Sequence, residues 1–383
     1  MKIGIDISQI VYEGTGVSTY TRSLVEALVK ASRNDEFVLF GSSLRIRRSL
    51  KEFLKSLQAK NVKGKFSCLP PSLLEFLWNG VHLFPIENFI GEVDVFHSSD
   101  WLEPPTRSAK KVTTIHDLTV FKYPETFSPR GGHDIVKNQK RKLFFAKKEC
   151  DLIICVSETT KQDAMEILGI PERKLAVVYE AADPFYFRRK DEEIKRVKEK
   201  LRIEGDYLLC VGTREPRKNL DKVVMAFSEI ARNYPSLNLV IAGKYGWGND
   251  SSKFKVQSSK LESRVKILGY VEKEDLPALY SGAQAFIYPS LYEGFGLPIL
   301  EAMACGCPVV TSNLGSMKEI AGEAAILVDP VSISGIANGI AKIVGDSKTR
   351  NRLINEGQRR NLEFSWEKTA FQTLDIYRSL AKE

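Results

Sequence analysis

Nowhere in the 383 residues is there an apolar run long enough to cross a bilayer. The most apolar window, Leu69 to Ile90, is broken by Glu75, Asn79, His82 and Glu87, whereas a spanning helix needs about 20 nearly unbroken apolar residues. The opening Met1 to Ile7 carries Asp6 within its short apolar run, so no secretory leader is expected there. Cysteine is scarce at six, and neither close pair, Cys150/Cys155 or Cys305/Cys307, has the C-x-x-C spacing of zinc or redox sites. A cytoplasmic protein with reduced, mostly buried thiols is the expectation. A Walker phosphate loop and H-E-x-x-H are both missing. The early Gly14-Thr-Gly16 lacks the third glycine of a dinucleotide fingerprint, Thr19 standing in its place, which argues against a nicotinamide cofactor.

What is present is the composition of an ordinary folded protein, with 43% hydrophobic and 27% charged residues. A single core stops growing at about 250 to 300 residues, so this length favours two domains. Lys and Arg number 56 against 48 Asp and Glu, a net charge of +8, with denser stretches at Arg45 to Lys55 and Lys137 to Lys148. Such stretches form either a solvated helix face or a surface that attracts anionic lipid or another polyanion. In the second, Lys137, Lys140, Arg141, Lys142, Lys147 and Lys148 flank Leu143, Phe144 and Phe145, a mix suited to an anionic membrane surface. With no recognisable nucleic-acid motif, a nucleic-acid partner is not expected.

Short Ile/Val/Leu runs alternate with segments of helical period, the pattern of β-α-β units. Strands are predicted at Lys2–Ile7, Glu36–Phe40, Val93–His97, Lys111–Ile115, Asp151–Val156 and Leu175–Tyr179. A second series follows at Tyr207–Val211, Asn238–Ala242, Val265–Leu268, Ala285–Tyr288 and Pro308–Thr311. The charged, helical Arg188 to Arg202 lies between them, which divides the chain into 1–184, a linker 185–205, and 206–364. Ser365 to Lys382 is predicted as a helix with Trp366, Phe371, Leu374 and Tyr377 on one side.

The densest chemistry runs from Ser290 through Tyr-Glu293-Gly294-Phe295-Gly296-Leu297-Pro-Ile-Leu-Glu301. The glycine pair permits a tight turn, Leu297-Pro298 opens a helix, and a helix N-terminus favours anions. Glu293 in the loop and Glu301 one turn into the helix are placed to reach one bound molecule. Carboxylates accept well from sugar hydroxyls. A second strand-to-helix junction, Val211-Gly-Thr-Arg-Glu-Pro-Arg217-Lys218-Asn219, has Asn219 as a favourable N-cap and two cations where the helix dipole disfavours them. A polyphosphate sharing the site would remove that conflict. In the first half, Ile-His116-Asp117 ends a strand at the edge where open α/β sheets bind ligands.

Together these residues resemble the retaining glycosyltransferases of family four. The likeness is carried by Glu293 and Glu301 in E-G-F-G-L-P-x-L-E, by I-H-D at His116, by V-S-E-x-T-K at Ser157 to Lys161, by P-R-K-N at Pro216 to Asn219, by G-Y-V at Gly269 to Val271, and by Gly16 before its helix. The resemblance implies the α/β GT-B fold, two Rossmann-like domains facing each other across a cleft, with the helix at 365–383 crossing back onto the first. It implies that Arg217 and Lys218 hold the donor diphosphate and that Glu301 accepts from the ribose. Glu293, near the backbone of Gly294, Phe295, Gly296 and Leu297, would contact the transferred sugar. Tyr270 and Val271 would border the base, Gly16 the phosphates, and His116 the reacting centre. No metal or other cofactor is implied, and D-x-D is absent.

Glu180-Ala-Ala-Asp183 and the segment His116 to Glu125 resemble a branch acting in polysaccharide and O-antigen assembly, where GDP-mannose is a frequent donor. The expected activity is retaining transfer of mannose to a glycan or lipid-linked acceptor, by an enzyme that is cytoplasmic or peripheral on the inner membrane face. UDP- or ADP-sugar transfer stays open, as does an epimerase or phosphorylase on the same plan.

Overall fold

Strands buried on both faces must be apolar along their whole length, which is why they stand out as runs rather than alternations. The computed structural model describes residues 1–12, 14–43, 47–127, 134–246 and 261–382. Two compact units emerge: Met1–Lys122 with Pro129–Glu180 and Ser365–Glu383, and Tyr123–Ser128 with Ala181–Phe364.

The first unit holds β1 (Lys2–Asp6), β2 (Glu36–Ser42), β3 (Val62–Ser67), β4 (Val95–Ser98), β5 (Lys110–Ile115), β6 (Leu152–Cys155) and β7 (Leu175–Val177). They form a parallel sheet in the order β3-β2-β1-β4-β5-β6-β7. The second unit holds β8 (Asp206–Val211), β9 (Leu237–Ala242), β10 (Val265–Gly269), β11 (Ala285–Tyr288), β12 (Val309–Ser312) and β13 (Ala325–Val328). Their order is β10-β9-β8-β11-β12-β13, again parallel. Each order reverses beside the unit's first strand, the kind of place where open sheets bind ligands beyond their carboxyl ends. The core of the second unit is packed by Leu208, Phe227, Leu239, Ile287, Val310 and Ile340, all within 1% of full burial. At full burial each such side chain contributes about 1.5 to 3 kcal/mol.

Two strands escape the sequence pattern. Both are edge strands: β3 exposes Lys63 and Lys65, and β13 leaves Ile326 and Leu327 only half-buried. Residues 185–205, read from the sequence as a linker, lie in the second unit and contain the helix Asp191–Lys200. The C-terminal helix is Trp366–Ala381, started by Ser365, whose hydroxyl accepts from the Lys368 amide. It buries Trp366, Ala370, Leu374 and Tyr377, but Phe371 is 47% exposed. Five residues on from Trp366, Phe371 sits about 140° around the helix and misses the buried stripe. Five of the six cysteines, Cys150, Cys155, Cys210, Cys305 and Cys307, are buried.

The basic helix Ile135–Glu149 also corrects its prediction. Lys142 is 1% exposed and points inward, its ammonium donating to Thr113 at 2.7 Å and pairing with the buried Glu103 at 3.6 Å. Leu143 is buried, and Phe145 stacks on His82 with ring centroids 3.7 Å apart. The outward face is therefore Lys137, Lys140, Arg141, Phe144, Lys147 and Lys148. Of the other basic stretch, Arg45 lies outside the described residues. Among the described residues no helix is long and apolar enough to cross a membrane.

Candidate active site

Two loops at the carboxyl ends of β8 and β11 build the charged centre of the second unit. The first leaves β8 at Gly212, where backbone crowding is extreme: a Cβ on Gly243, at φ 152°, would lie 1.8 Å from the Gly212 carbonyl oxygen. Only glycine fits there, and the loop then makes one 3-10 turn, Pro216–Lys218. Asn219 stands at the N-cap position of the helix Leu220–Ile230 but does not cap it. Its backbone is left-handed at φ 60°, and its amide instead donates to the carbonyls of Pro289 and Pro330 at 3.0 and 2.7 Å. The second loop ends at Gly296, whose φ of 107° favours glycine, and enters the helix Leu297–Ala304 with Pro298 in its first turn. The Leu291 amide donates to the Arg217 carbonyl at 2.8 Å and ties the loops together.

The anion that Arg217 and Lys218 call for is supplied by the protein itself. Glu293 accepts from Arg217 Nη1 at 2.5 Å and from Lys218 Nζ at 2.6 Å, the three side chains being 9 to 15% exposed. Arg217 also pairs with Glu215 at 2.7 Å, and Lys218 donates to the Tyr288 hydroxyl at 2.7 Å. The Glu293 backbone is held by Ser316, whose hydroxyl donates to its carbonyl at 2.7 Å. Burial would raise the Glu293 carboxyl, but Arg217 and Lys218 outweigh it and hold it down at about 2. Lys218 is lowered, first by burial and then by Arg217, because two cations share one carboxylate.

Glu301 has the opposite environment. It lies on the helix Leu297–Ala304, where its carboxylate accepts from the Tyr280 hydroxyl at 3.1 Å and also from Tyr186, and burial pushes it up to about 7. The Glu293 carboxyl stays ionised while that of Glu301 titrates near neutrality. Tyr270 follows β10 and is 49% exposed, with Lys244 Nζ 4.2 Å from its ring centroid, while the neighbouring Val271 is buried.

Gly16 and His116 belong to the first unit. Gly16 opens the helix Gly16–Ala31 beside Thr15, whose hydroxyl accepts from the Ser18 amide. Among the described residues, a Cβ on Gly16 would meet nothing within 4 Å. His116 follows β5 and is 14% exposed, its Nδ1 3.1 Å from Glu180 Oε1 and its ring edge-on to Tyr20 at 4.5 Å. Burial lowers His116, but the hydrogen bond and charge of Glu180, with Asp100 and Asp117 behind it, raise it above its ordinary value.

The structure thus joins Arg217, Lys218 and Glu293 in one cluster and sets Glu301, Gly294 to Leu297, Tyr270 and Val271 in the same unit. Sequence reasoning missed Glu215, Tyr288, Tyr280 and Tyr186. Glu215 stood two residues from Arg217 and was legible; Tyr288 is brought in by the pairing of β11 with β8, and Tyr280 from a helix and Tyr186 from a loop by tertiary packing, which no local pattern reveals. Among the described residues no group of acidic, His and Cys side chains is arranged to hold a metal ion.

Comparison with known proteins identifies the class these folds and loops define, a glycosyltransferase. Residues 14–184 match the model described as Glycosyltransferase Family 4 and residues 191–360 that of Glycosyl transferases group 1. The O-antigen chain mannosyltransferase B of Escherichia coli is 32% identical over 99% of this chain and 100% of its own. Sucrose-phosphate synthase from Thermosynechococcus elongatus superposes with a TM-score of 0.73 at 20% identity, covering 99% of both chains. Anabaena HepE, in complex with UDP and glucose, gives a TM-score of 0.74 at 18% identity over 99% of this chain and 100% of its own. The chain belongs to the family-four glycosyltransferases and has the two-sheet GT-B fold.

Proposed function

We propose that the protein transfers mannose from GDP-mannose, with retention of anomeric configuration, to a glycan or lipid-linked acceptor in polysaccharide assembly. The observation that carries this reading is the pair of nearly buried cations, Arg217 and Lys218, beside a helix N-terminus. The guanidinium suits a diphosphate's paired oxygens and the ammonium adds a point charge. Mannose is supported by the 32% identical mannosyltransferase. A UDP-glucose-type donor is the second reading, favoured by the bound UDP and glucose of HepE.

In the proposed step the bond from the anomeric carbon to the diphosphate oxygen breaks as the acceptor oxygen bonds to the same face. The acceptor's proton passes to the leaving diphosphate. Arg217 and Lys218 stabilise the charge that develops there, Glu293 fixes the sugar hydroxyls, Glu301 the ribose, and Tyr270 and Val271 the base. Gly16 and His116 serve the same reaction.

A thermal-shift panel of GDP, UDP, ADP and CDP with their sugar conjugates, with and without EDTA, tests this. A ligand at 100 times its Kd adds about 2.7 kcal/mol. Stabilisation by GDP and GDP-mannose, unchanged by EDTA and lost in Lys218→Ala, is the expected result. Preference for UDP conjugates overturns mannose, and no nucleotide response overturns the phosphate role of Arg217 and Lys218.

The acceptor reading extends to an anionic membrane surface. Phe76, Val81, Leu83 and Phe84 are 44 to 59% exposed, and Phe144 is 61% exposed. Lys137, Lys140 and Arg141 line a cavity of about 640 Å³ with Phe144 and Phe145. Exposed apolar side chains near a cation-bearing helix suit a lipid surface, each cation adding about 1 kcal/mol. At low salt the protein should sediment with anionic but not zwitterionic vesicles, and Phe84→Asp should weaken this several-fold. Equal sedimentation with both lipids, or none, ends the membrane reading.

A further inference from the structure

One buried pairing in the first unit that the transfer scheme leaves unused is the contact between His116 and Glu180. From these contacts we infer that Glu180 is the positioning residue for His116, locking the ring through Nδ1 so that Nε2 is the nitrogen presented to substrate. The inference rests on the reading of His116 as a group of the transfer reaction.

The geometry holds the imidazole on two sides. Glu180, 5% exposed, stands 3.1 Å from Nδ1, a contact that makes Nδ1 the donor whenever the carboxylate is ionised. Tyr20 packs edge-on against the ring and is itself fixed, its hydroxyl 3.0 Å from Thr114 Oγ1. Both supports lead to the C-terminal helix Trp366–Ala381. The Thr369 hydroxyl donates at 2.7 Å to the carbonyl of Tyr179, the residue before Glu180, and Trp366 packs against Tyr20 with ring centroids 5.8 Å apart. Deeper in, His97 bridges the Tyr377 hydroxyl at 2.6 Å and Thr114 at 2.9 Å. A carboxylate bound to one imidazole nitrogen fixes the tautomer and favours the protonated ring. The other groups that act on the ring's charge are Asp117 beside it, Asp100 after β4, and His97 on β4.

The test follows the imidazole directly. In full-length protein labelled at histidine carbons, His116→Asn assigns the resonance, and its titration is compared between wild type and Glu180→Gln. Glu180→Gln should move the His116 midpoint down by about one pH unit and lower kcat at pH 7 about tenfold, with KM for the donor within about twofold. Glu180→Asp, which keeps the charge, should recover part of both, and gives the same comparison if Gln disturbs folding. A titration curve in Glu180→Gln that superimposes on wild type overturns the inference. If the midpoint moves but His116→Asn transfers sugar at the wild-type rate, the positioning role is also overturned. Donor binding in the thermal-shift panel would still stand in either case, which separates this failure from failure of the glycosyl-transfer reading.

Discussion

Glu293→Gln should bind inorganic pyrophosphate and nucleoside diphosphates about tenfold more tightly than wild type while transferring sugar roughly a hundredfold more slowly. Arg217 and Lys218 give two positive charges, and Glu215 and Glu293 cancel both. A diphosphate entering this centre must compete with the Glu293 carboxylate for the same two cations. Removing that charge leaves one cation uncompensated, so anion affinity rises while contact with the sugar weakens. The same substitution should destabilise the second unit. Glu293 sits at about 2 in the folded chain against an ordinary 4.5, so its contribution is present above 4.5 and lost as pH falls toward 2. A shift of that size corresponds to about 3 kcal/mol. Calorimetry with pyrophosphate and acid melts in parallel check both effects; unchanged pyrophosphate affinity would rule out competition.

At pH 8, Glu301→Gln should be more stable than wild type by about 3 kcal/mol, with the unfolding temperature raised by several degrees. The sign is opposite to that of Glu293. Glu301 is raised from 4.5 to about 7, so its stabilising contribution is complete below pH 4.5 and disappears as pH rises through 7. Above that, wild type holds an ionised, partly buried carboxylate whose desolvation is only partly offset by the Tyr280 and Tyr186 hydroxyls and the charge of Lys273. The neutral amide can still accept from Tyr280. Subtracting the two melting profiles isolates this residue from other titrating groups, and a difference that stays flat between pH 4.5 and 7 would refute the assignment.

Most of the architecture was legible because parallel strands announce themselves: β1, β2, β6, β8, β9 and β11 are largely apolar runs. The strands that escaped are both at sheet edges and only partly buried, β3 with Lys63 and Lys65 exposed and β13 with Ile326 and Leu327 half-buried. Asn219 was misplaced as a helix cap for a related reason. Cap preference is a local rule, and here the side chain is recruited by two carbonyls 70 and 111 residues away. Lys142 looked like its exposed neighbours because inward and outward positions on a helix differ only in phase.

The sequence alone determined which residues carry charge beside which turns: the glycine-bounded loop of Glu293, the cations at 217 and 218, and the histidine ending β5. Those are local facts of spacing and composition. The tertiary structure decided their states. It set Glu293 between two cations, Glu301 against tyrosines and His116 on Glu180, and so drove two carboxyls of one short segment in opposite directions. Ionisation depends on burial and on charges brought near by folding, and neither is written in the order of residues.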